Sequence, residues 1–157
     1  MPTVVFMIGA GGSGKSTALA KSEWADLPVV NSDYYIESHP DWVGNGGKLE
    51  PKDLYQWASE QMELEWARRL KAGESFVLDG TGKTRDAMLS RIAAAKAAGF
   101  KVVIFWVYAP LELCLKRNAS RPRRVPENVI REAWEKVRAN FGAYRRVADK
   151  VKVLINI

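Results

Sequence analysis

Residues 9–17 combine glycine, lysine and hydroxyl side chains at spacings that suit phosphate binding, and they match G-x-x-x-x-G-K-[ST] at every fixed position. Glycines let the backbone wrap closely round an anion, and a following helix adds its positive end. In such a loop Lys15 reaches the outer phosphates and the Ser16 hydroxyl binds Mg²⁺. A plain tight turn gives no reason for a lysine followed by two hydroxyls. The pattern therefore predicts a nucleoside triphosphate site formed by Gly11, Gly12, Ser13, Gly14, Lys15, Ser16 and Thr17.

An aspartate follows the second apolar segment, whose residues 28–31 are predicted to form a strand. In doubly wound folds the carboxyl ends of parallel strands converge on the ligand crevice, so Asp33 is expected beside the phosphates. A carboxylate there can accept the proton of an attacking hydroxyl, which is the task that phosphoryl transfer leaves to a general base. The alternative is that Asp33 caps a short helix beginning at Tyr34.

A second aspartate, Asp79, ends the apolar run 75–79. We expect it near Mg²⁺, together with Ser16, or near the acceptor, and the alternative is a loop-capping aspartate. Residues 79–82 also fit the short D-x-x-G pattern of switch GTPases, but no N-K-x-D motif for reading guanine occurs in the sequence. The GTPase interpretation therefore lacks base specificity.

The segment 117–126 has the composition of a mobile lid. It follows a predicted helix and contains Arg117, Arg121, Pro122, Arg123, Arg124 and Pro126. A planar guanidinium can neutralise charge on a transferred phosphoryl group when a lid closes, so one or two of these arginines are expected to enter the site. Arg121 is the first choice, and the alternative is a solvated basic loop.

Charge is unevenly distributed along the chain. Residues 1–80 hold seven Lys and Arg against twelve Asp and Glu, a net charge of −5, whereas residues 81–157 hold seventeen against six, a net charge of +11. A basic half favours a polyanionic partner, because cations near a phosphate backbone release counterions. A solvated surface explains part of this charge. A nucleic acid is the favoured substrate, and no protein partner is implied.

Apolar runs of strand length alternate with segments of helical period, which predicts an α/β fold with a five-stranded parallel sheet and helices on both faces. The predicted strands are Thr3–Ile8, Pro28–Asn31, Ser75–Asp79, Lys101–Tyr108 and Val151–Ile155. The predicted helices are Lys15–Ala25, Lys52–Lys71, Arg85–Ala98, Pro110–Asn118 and a long one whose apolar stripe runs from Ile130 to Tyr144. The length of 157 residues suits one domain over residues 1–157.

Several features argue against other classes of site and location. No apolar run approaches the roughly 20 residues that span a bilayer, so we expect a cytoplasmic protein without membrane association. His39 is the only histidine, and one such ligand cannot define a metal site. The only cysteine, Cys114, lies in an apolar run and is predicted to be in the core. Trp42, in a glycine-rich stretch, either stacks on a base or anchors its loop.

These motifs together resemble the P-loop kinase family that contains phage and bacterial 5′-hydroxyl polynucleotide kinases and, more distantly, the zeta toxins. The resemblance spans nearly the full length. It rests on the phosphate loop, Asn31-x-Asp33, Asp79-x-Thr81 and, above all, Lys116-Arg117-Asn118-x-x-Arg121 leading through Val125-Pro126 into a long helix. The last block resembles the polynucleotide kinase branch most closely.

The resemblance implies a P-loop kinase fold with a lid at about 117–126, and it implies ATP and Mg²⁺ as cofactors. Lys15 and Ser16 would hold the donor phosphates and the metal, with Arg117 and Arg121 on the donor side. Asp33 would be the general base, and Arg121 would contact the transferred phosphoryl group. The phage polynucleotide kinase has an arginine that helps hold the acceptor three residues after its catalytic aspartate, but this chain has Ile36 there.

That departure leaves several acceptors open. A hydroxyl group of a nucleic acid is the leading hypothesis, and the sequence does not distinguish DNA from RNA or a terminal from an internal hydroxyl. Related phage kinases phosphorylate hydroxymethyl groups on modified pyrimidines in DNA, and zeta-type enzymes suggest a nucleoside or nucleotide-sugar. A binding module that hydrolyses ATP only to change partners is the alternative from another functional class.

Overall fold

The computed structural model describes residues 1–157 and contains a five-stranded parallel sheet in the order β2-β3-β1-β4-β5. The strands are β1 Thr3–Ile8, β2 Val29–Val30, β3 Phe76–Asp79, β4 Lys101–Tyr108 and β5 Lys150–Ile155. The helices are α1 Lys15–Ala20, α2 Ser32–Ser38, α3 Pro51–Ala72, α4 Arg85–Ala97, α5 Leu111–Ala119 and α6 Glu127–Val147. None of these helices has the length and apolar character needed to cross a membrane. The predicted α/β fold is confirmed.

The side chains of the central strand β1 alternate between two apolar clusters, because successive residues of a strand point to opposite faces. Phe6 and Ile8 pack on the face covered by α3, α4 and α6. Val5 and Met7 pack on the opposite face, against α1 and the segment after it. Each of these side chains is buried, and burial of one such side chain is worth about 1.5–3 kcal/mol. Helices therefore hold the sheet from both sides and leave its carboxyl edge free for a site.

The long helix α6 is anchored to the segment that follows β3. Its predicted apolar stripe is confirmed, with Ile130, Ala133, Val137 and Tyr144 buried. The Tyr144 hydroxyl donates to the Gly82 carbonyl at 2.6 Å, and Asn140 Nδ2 donates to the Lys83 carbonyl at 3.0 Å. Burial raises the pKa of the Tyr144 phenol to about 12. These two bonds fix the position of a helix whose first turns border the cleft.

Two elements differ from the sequence prediction for local reasons. Helix α1 ends at Ala20 and not at Ala25, because the Ser22 side chain replaces helical bonds: its Oγ donates to the Leu19 carbonyl and accepts the N–H of Trp24. Strand β2 is limited to Val29 and Val30, since α2 begins at Ser32.

Cys114 and Trp42 both pack within the protein. Cys114 is fully buried, and burial raises the pKa of its thiol, so its predicted place in the core is confirmed. Trp42 packs with a small apolar cluster between α2 and α3 that includes Ile36 and Leu54. Its indole therefore anchors the loop before α3 and does not line the main cleft.

Candidate active site

An open cleft of about 510 Å³ lies at the carboxyl edge of the sheet, where the ends of parallel strands converge. Its walls come from the loop after β1, the ends of β2 and β3, the start of α3 and the segment between α5 and α6. The residues predicted to do chemistry all line this one cleft: Lys15, Ser16, Asp33, Asp79 and Arg121. The structure thus brings together groups that are more than 100 residues apart in sequence.

The loop between β1 and α1 has a conformation that depends on glycine. Gly12 and Gly14 have φ angles of +82° and +97°, in the left-handed region. A Cβ added to Gly12 would lie 2.5 Å from the Cys114 carbonyl oxygen, so no other residue fits there. The loop can therefore lie directly against the start of α5, which brings the lid close to the phosphate-binding residues.

Lys15 is held inside this loop in the free protein. Its Nζ donates to the Gly9 carbonyl at 2.8 Å. Burial lowers the pKa of Lys15. The negative charges of Asp79 and Asp33 oppose that shift, and the positive charge of Arg121 adds to it. A cation that is costly to bury gains from an added anion, so phosphate groups in the cleft would stabilise the charged lysine.

Of the two carboxylate oxygens of Asp79, one accepts a hydrogen bond and the other does not. The pairing of Val30 with Leu78 places Asn31 beside Asp79, and Asn31 Nδ2 donates to Asp79 Oδ2 at 2.8 Å. Asp79 Oδ1 is buried without a hydrogen-bond partner. Burial raises the pKa of Asp79. The positive charge of Lys15 opposes this effect, and the negative charge of Asp33 adds to it.

The orphaned oxygen suits a divalent cation. Asp79 and the Ser16 hydroxyl both line the cleft, and no group of three or more His, Cys, Asp or Glu side chains is present to form an all-protein cage. Mg²⁺ characteristically takes one or two protein ligands and completes its shell with phosphate oxygens and water. The residues present therefore fit Mg²⁺ bound together with a nucleotide.

Asp33 faces the cleft from the first turn of α2. The residue that caps this helix is Asn31, whose Oδ1 accepts the Asp33 N–H at 2.7 Å. The alternative that Asp33 is itself the cap of a helix beginning at Tyr34 is therefore wrong. Because the cap is made by another residue, the Asp33 carboxylate is available to the cleft, with 49% of its side chain exposed.

The four lid arginines have different positions. Arg117 Nη1 donates to the Gly12 carbonyl at 3.3 Å, and Arg121 Nη1 lies 3.6 Å from the position that a Cβ on Gly11 would take. Both therefore lie on the phosphate-loop side of the cleft. Arg123 instead pairs with the Asp33 carboxylate, and Arg124 is exposed outside the cleft.

Asn118 closes the base of the lid and was not predicted to have a role. Its Nδ2 donates to the Val125 carbonyl at 2.6 Å, and its Oδ1 accepts the Val125 N–H at 3.0 Å. The six residues between them, 119–124, therefore form a segment whose two ends are tied together. A signal for this role is present in the sequence. Asn118 lies three residues after Leu115 and four after Cys114, on the apolar side of α5. A buried amide needs hydrogen-bond partners, so this position predicts contacts of the Asn118 side chain within the protein.

Ser13 differs from the other predicted phosphate-binding residues in the position of its side chain. Its Oγ is buried without a partner, its N–H donates to the Ala10 carbonyl, and its side chain does not line the cleft. The Ser13 carbonyl accepts a hydrogen bond from Asn156 Nδ2 at 2.8 Å. Asn156, which sequence reasoning missed, thus fixes the loop from the end of β5.

Comparisons with known proteins agree with this architecture. A family model described as an AAA domain matches residues 4–144. Toxin zeta of Enterococcus hirae and of Streptococcus pyogenes are each 24% identical over 116 residues, which is 69% of this chain and 40% of the relative. The chain thus spans less than half the length of these curated relatives.

Solved structures share the fold at low sequence identity. The native AvrRxo1-ORF1:-ORF2 complex matches with a TM-score of 0.83 and 21% identity over 100% of this chain and 55% of that chain. A chain of the Pnkp1/Rnl/Hen1 RNA repair complex matches with a TM-score of 0.60 and 16% identity over 90% of this chain and 46% of that chain. The shared architecture is the P-loop kinase fold. Both structures are complexes, so the absence of a protein partner stays a prediction.

Proposed function

The chain belongs to the AAA domain family, and from this premise we propose that it transfers the γ-phosphoryl group of ATP to a hydroxyl group of a nucleic acid. The observation that carries the proposal is the position of Asp33 in the same cleft as Lys15 and Arg121. A triphosphate site without a facing carboxylate could serve hydrolysis or switching, whereas this carboxylate provides a proton acceptor for an alcohol. ATP as donor suits the cytoplasmic location predicted from the sequence.

In the proposed reaction the acceptor oxygen forms a bond to the γ-phosphorus while the bond to the β–γ bridging oxygen breaks and ADP leaves. The acceptor hydroxyl loses its proton to the Asp33 carboxylate. Lys15 stabilises charge on the outer phosphates, and Arg121, delivered by the lid, stabilises charge on the transferred group. General-base assistance of this kind contributes about 10²- to 10⁴-fold to the rate.

Ser16 and Asp79 are the residues that would hold Mg²⁺. When bound, the ion neutralises charge on the donor phosphates. Asn31 already satisfies Asp79 Oδ2, which leaves Oδ1 as the ligand atom. The proposal therefore gives a role to a buried oxygen that otherwise has no partner.

Unpaired positive charge near the cleft supports a polyanionic acceptor. Lys116, Arg117 and Arg121 have no acidic side chain within 4.0 Å. On α6, by contrast, Lys136 pairs with Glu132, so part of the basic character of the second half is neutralised locally. These three cations leave positive charge beside the cleft that no acidic side chain compensates and that a phosphate backbone would neutralise.

A small-molecule acceptor is the second candidate. It is favoured by the relationship to toxin zeta. On this alternative the same Asp33 activates a hydroxyl of a nucleoside or nucleotide-sugar.

One labelling experiment separates these candidates. The protein is incubated with γ-labelled ATP, Mg²⁺ and, in parallel, 5′-hydroxyl DNA, 5′-hydroxyl RNA, DNA containing 5-hydroxymethyl pyrimidines, nucleosides and UDP-sugars, with Lys15→Met as the background control. A polynucleotide kinase labels an oligonucleotide, and its kcat/KM falls steeply between 50 and 200 mM salt, by about 10-fold or more for several phosphate contacts.

Other outcomes identify the alternatives. Label confined to a nucleoside or UDP-sugar contradicts the nucleic acid proposal and supports the zeta-type alternative. ATP hydrolysis without label in any acceptor contradicts the kinase proposal and indicates a binding module.

A further inference from the structure

One lid arginine reaches across the cleft to the candidate base. Arg123 Nη1 lies 3.1 Å from Asp33 Oδ1 and 3.6 Å from Glu37 Oε1. The two carboxylates lie four residues apart on α2, so they face the same side of the helix. Only 16% of the Arg123 side chain is exposed, whereas about half of each carboxylate side chain is. The arginine is therefore held in place by its partners.

The recorded contact to each carboxylate uses the same nitrogen of Arg123, Nη1. Its Nη2 and Nε are not among the fully buried atoms that lack a hydrogen-bond partner, and Arg123 lines the cleft. A guanidinium has five N–H donors in a planar fork that matches the oxygens of a phosphate or carboxylate. Arg123 can thus keep its carboxylate partners and still bind an anion through its free edge.

The position of this free edge separates it from the donor side. Arg117 and Arg121 lie against Gly12 and Gly11 of the phosphate loop. Arg123 lies instead at α2, where Tyr55 of α3, with 55% of its surface exposed, also lines the cleft. Asp33 lies between these regions. Its negative charge raises the pKa of Lys15 on the donor side, and its carboxylate pairs with Arg123 on the other side.

We propose that Arg123 binds a phosphate group of the acceptor, next to the hydroxyl that Asp33 activates. This inference rests on the proposed function and specifies its acceptor: a hydroxyl compound that carries a neighbouring phosphate. Glu37 and Asp33 orient the guanidinium, and the acceptor phosphate completes its charge-assisted hydrogen bonds. An acceptor without a phosphate leaves the free edge unused and binds more weakly.

The test compares two acceptors that differ only in the phosphate, thymidine and thymidine 3′-monophosphate. KM and kcat are measured for both with wild type, Arg123→Ala, Arg123→Lys and, as matched control, Arg124→Ala, which removes an equal charge from the same loop outside the cleft. Wild type is expected to favour the nucleotide in KM by roughly 10- to 100-fold, the range of a charge-assisted hydrogen bond.

Arg123→Ala is expected to lose this preference, with KM for thymidine changed little, whereas Arg124→Ala retains it. Arg123→Lys is expected to restore part of it, because lysine keeps the charge but not the fork. A UDP-sugar arm identifies the source of the phosphate: sensitivity to Arg123→Ala confined to UDP-sugars places the phosphate in a diphosphate and not in a nucleic acid strand.

Two results would overturn the inference while leaving the proposed function intact. One is an equal loss of kcat/KM for thymidine and thymidine 3′-monophosphate in Arg123→Ala, which would make Arg123 a positioning residue for Asp33 only. The other is a wild-type enzyme that labels oligonucleotides but has the same KM for thymidine and for thymidine 3′-monophosphate.

Calorimetry keeps the inference testable if no acceptor is labelled. Thymidine 3′-monophosphate and UDP-glucose are titrated into the ADP-bound wild type and the Arg123→Ala variant. Binding that is weakened in the variant supports the anion site even though transfer has failed, and an absence of binding to wild type contradicts it.

Discussion

Asn31 and Asp79 connect the carboxyl ends of β2 and β3 through a hydrogen bond of 2.8 Å from Asn31 Nδ2 to Asp79 Oδ2. The other side-chain atom of the same amide, Oδ1, accepts the N–H of Asp33. One residue thus orients the candidate metal ligand and caps the helix that carries the candidate base. The two carboxylates are positioned together because they share this support.

The partly buried carboxyl group of Asp79 is expected to lower the stability of the free protein. Its pKa is raised in the folded state above the ordinary value of 3.8, so the folded protein takes up a proton as the pH falls and the ionised group costs stability at neutral pH. We predict that Asp79→Asn raises the melting temperature at pH 7, and that this difference shrinks as the pH falls towards 3.8. Thermal melts across this range check the sign, with exposed Asp26→Asn as control; a lower melting temperature for Asp79→Asn at pH 7 would contradict it.

Asp33→Asn is expected to separate nucleotide binding from transfer. The amide keeps the size of the side chain but cannot accept the acceptor's proton, so kcat should fall about 10²- to 10⁴-fold. Affinity for an ATP analogue should stay near the wild-type value, because Asp33 lies on the acceptor side. Single-turnover transfer and analogue titration are compared with Asp41→Asn, an exposed loop carboxylate. Full-rate transfer by Asp33→Asn would remove it from the mechanism.

Nucleotide binding is expected to weaken as the pH rises. The pKa of Lys15 is lowered by burial from its ordinary value of 10.5, and bound phosphates favour the charged form. Between the lowered pKa of the free protein and the higher pKa of the complex, binding therefore takes up a proton. Affinity for a fluorescent ATP analogue should fall over this window in wild type and in Lys21→Met but be flat in Lys15→Met. A wild-type affinity that rises with pH contradicts the assigned direction.

Tyr144→Phe tests the anchor between α6 and the segment after β3. The substitution preserves the buried ring but leaves the Gly82 carbonyl without its donor. Loss of such a buried hydrogen bond lowers the free energy of unfolding by about 1–3 kcal/mol. Urea unfolding measures the change, and Tyr34→Phe, at an exposed tyrosine, is expected to have little effect. Equal stability of Tyr144→Phe and wild type would show that the bond is not needed.

The sheet was predictable because its strands are continuous apolar runs. Strands β1 and β4 match their predicted bounds, and they are buried on both faces, where sequence pattern is strongest. The phosphate loop was equally clear, since its glycines and Lys15 have few other uses. Helix α2 was not predicted to begin at Ser32, because seven residues give too little periodicity to detect.

The contacts across the cleft were beyond reach of the sequence. An Arg-rich segment predicts a lid, but which arginine meets which carboxylate depends on the path of a loop. Arg121 and Arg123 are only two residues apart, yet one lies at the phosphate loop and the other at α2. Ser13 fitted the loop pattern equally well, and only the structure shows its side chain turned away from the cleft.

The two hydrogen bonds between Asn118 and Val125 fix both ends of the intervening six residues relative to each other. Arg121 and Arg123 are both carried on this one short strap, although the first lies at the phosphate loop and the second at α2. The two halves of the cavity are thus bordered by one tethered segment and not by two independent loops.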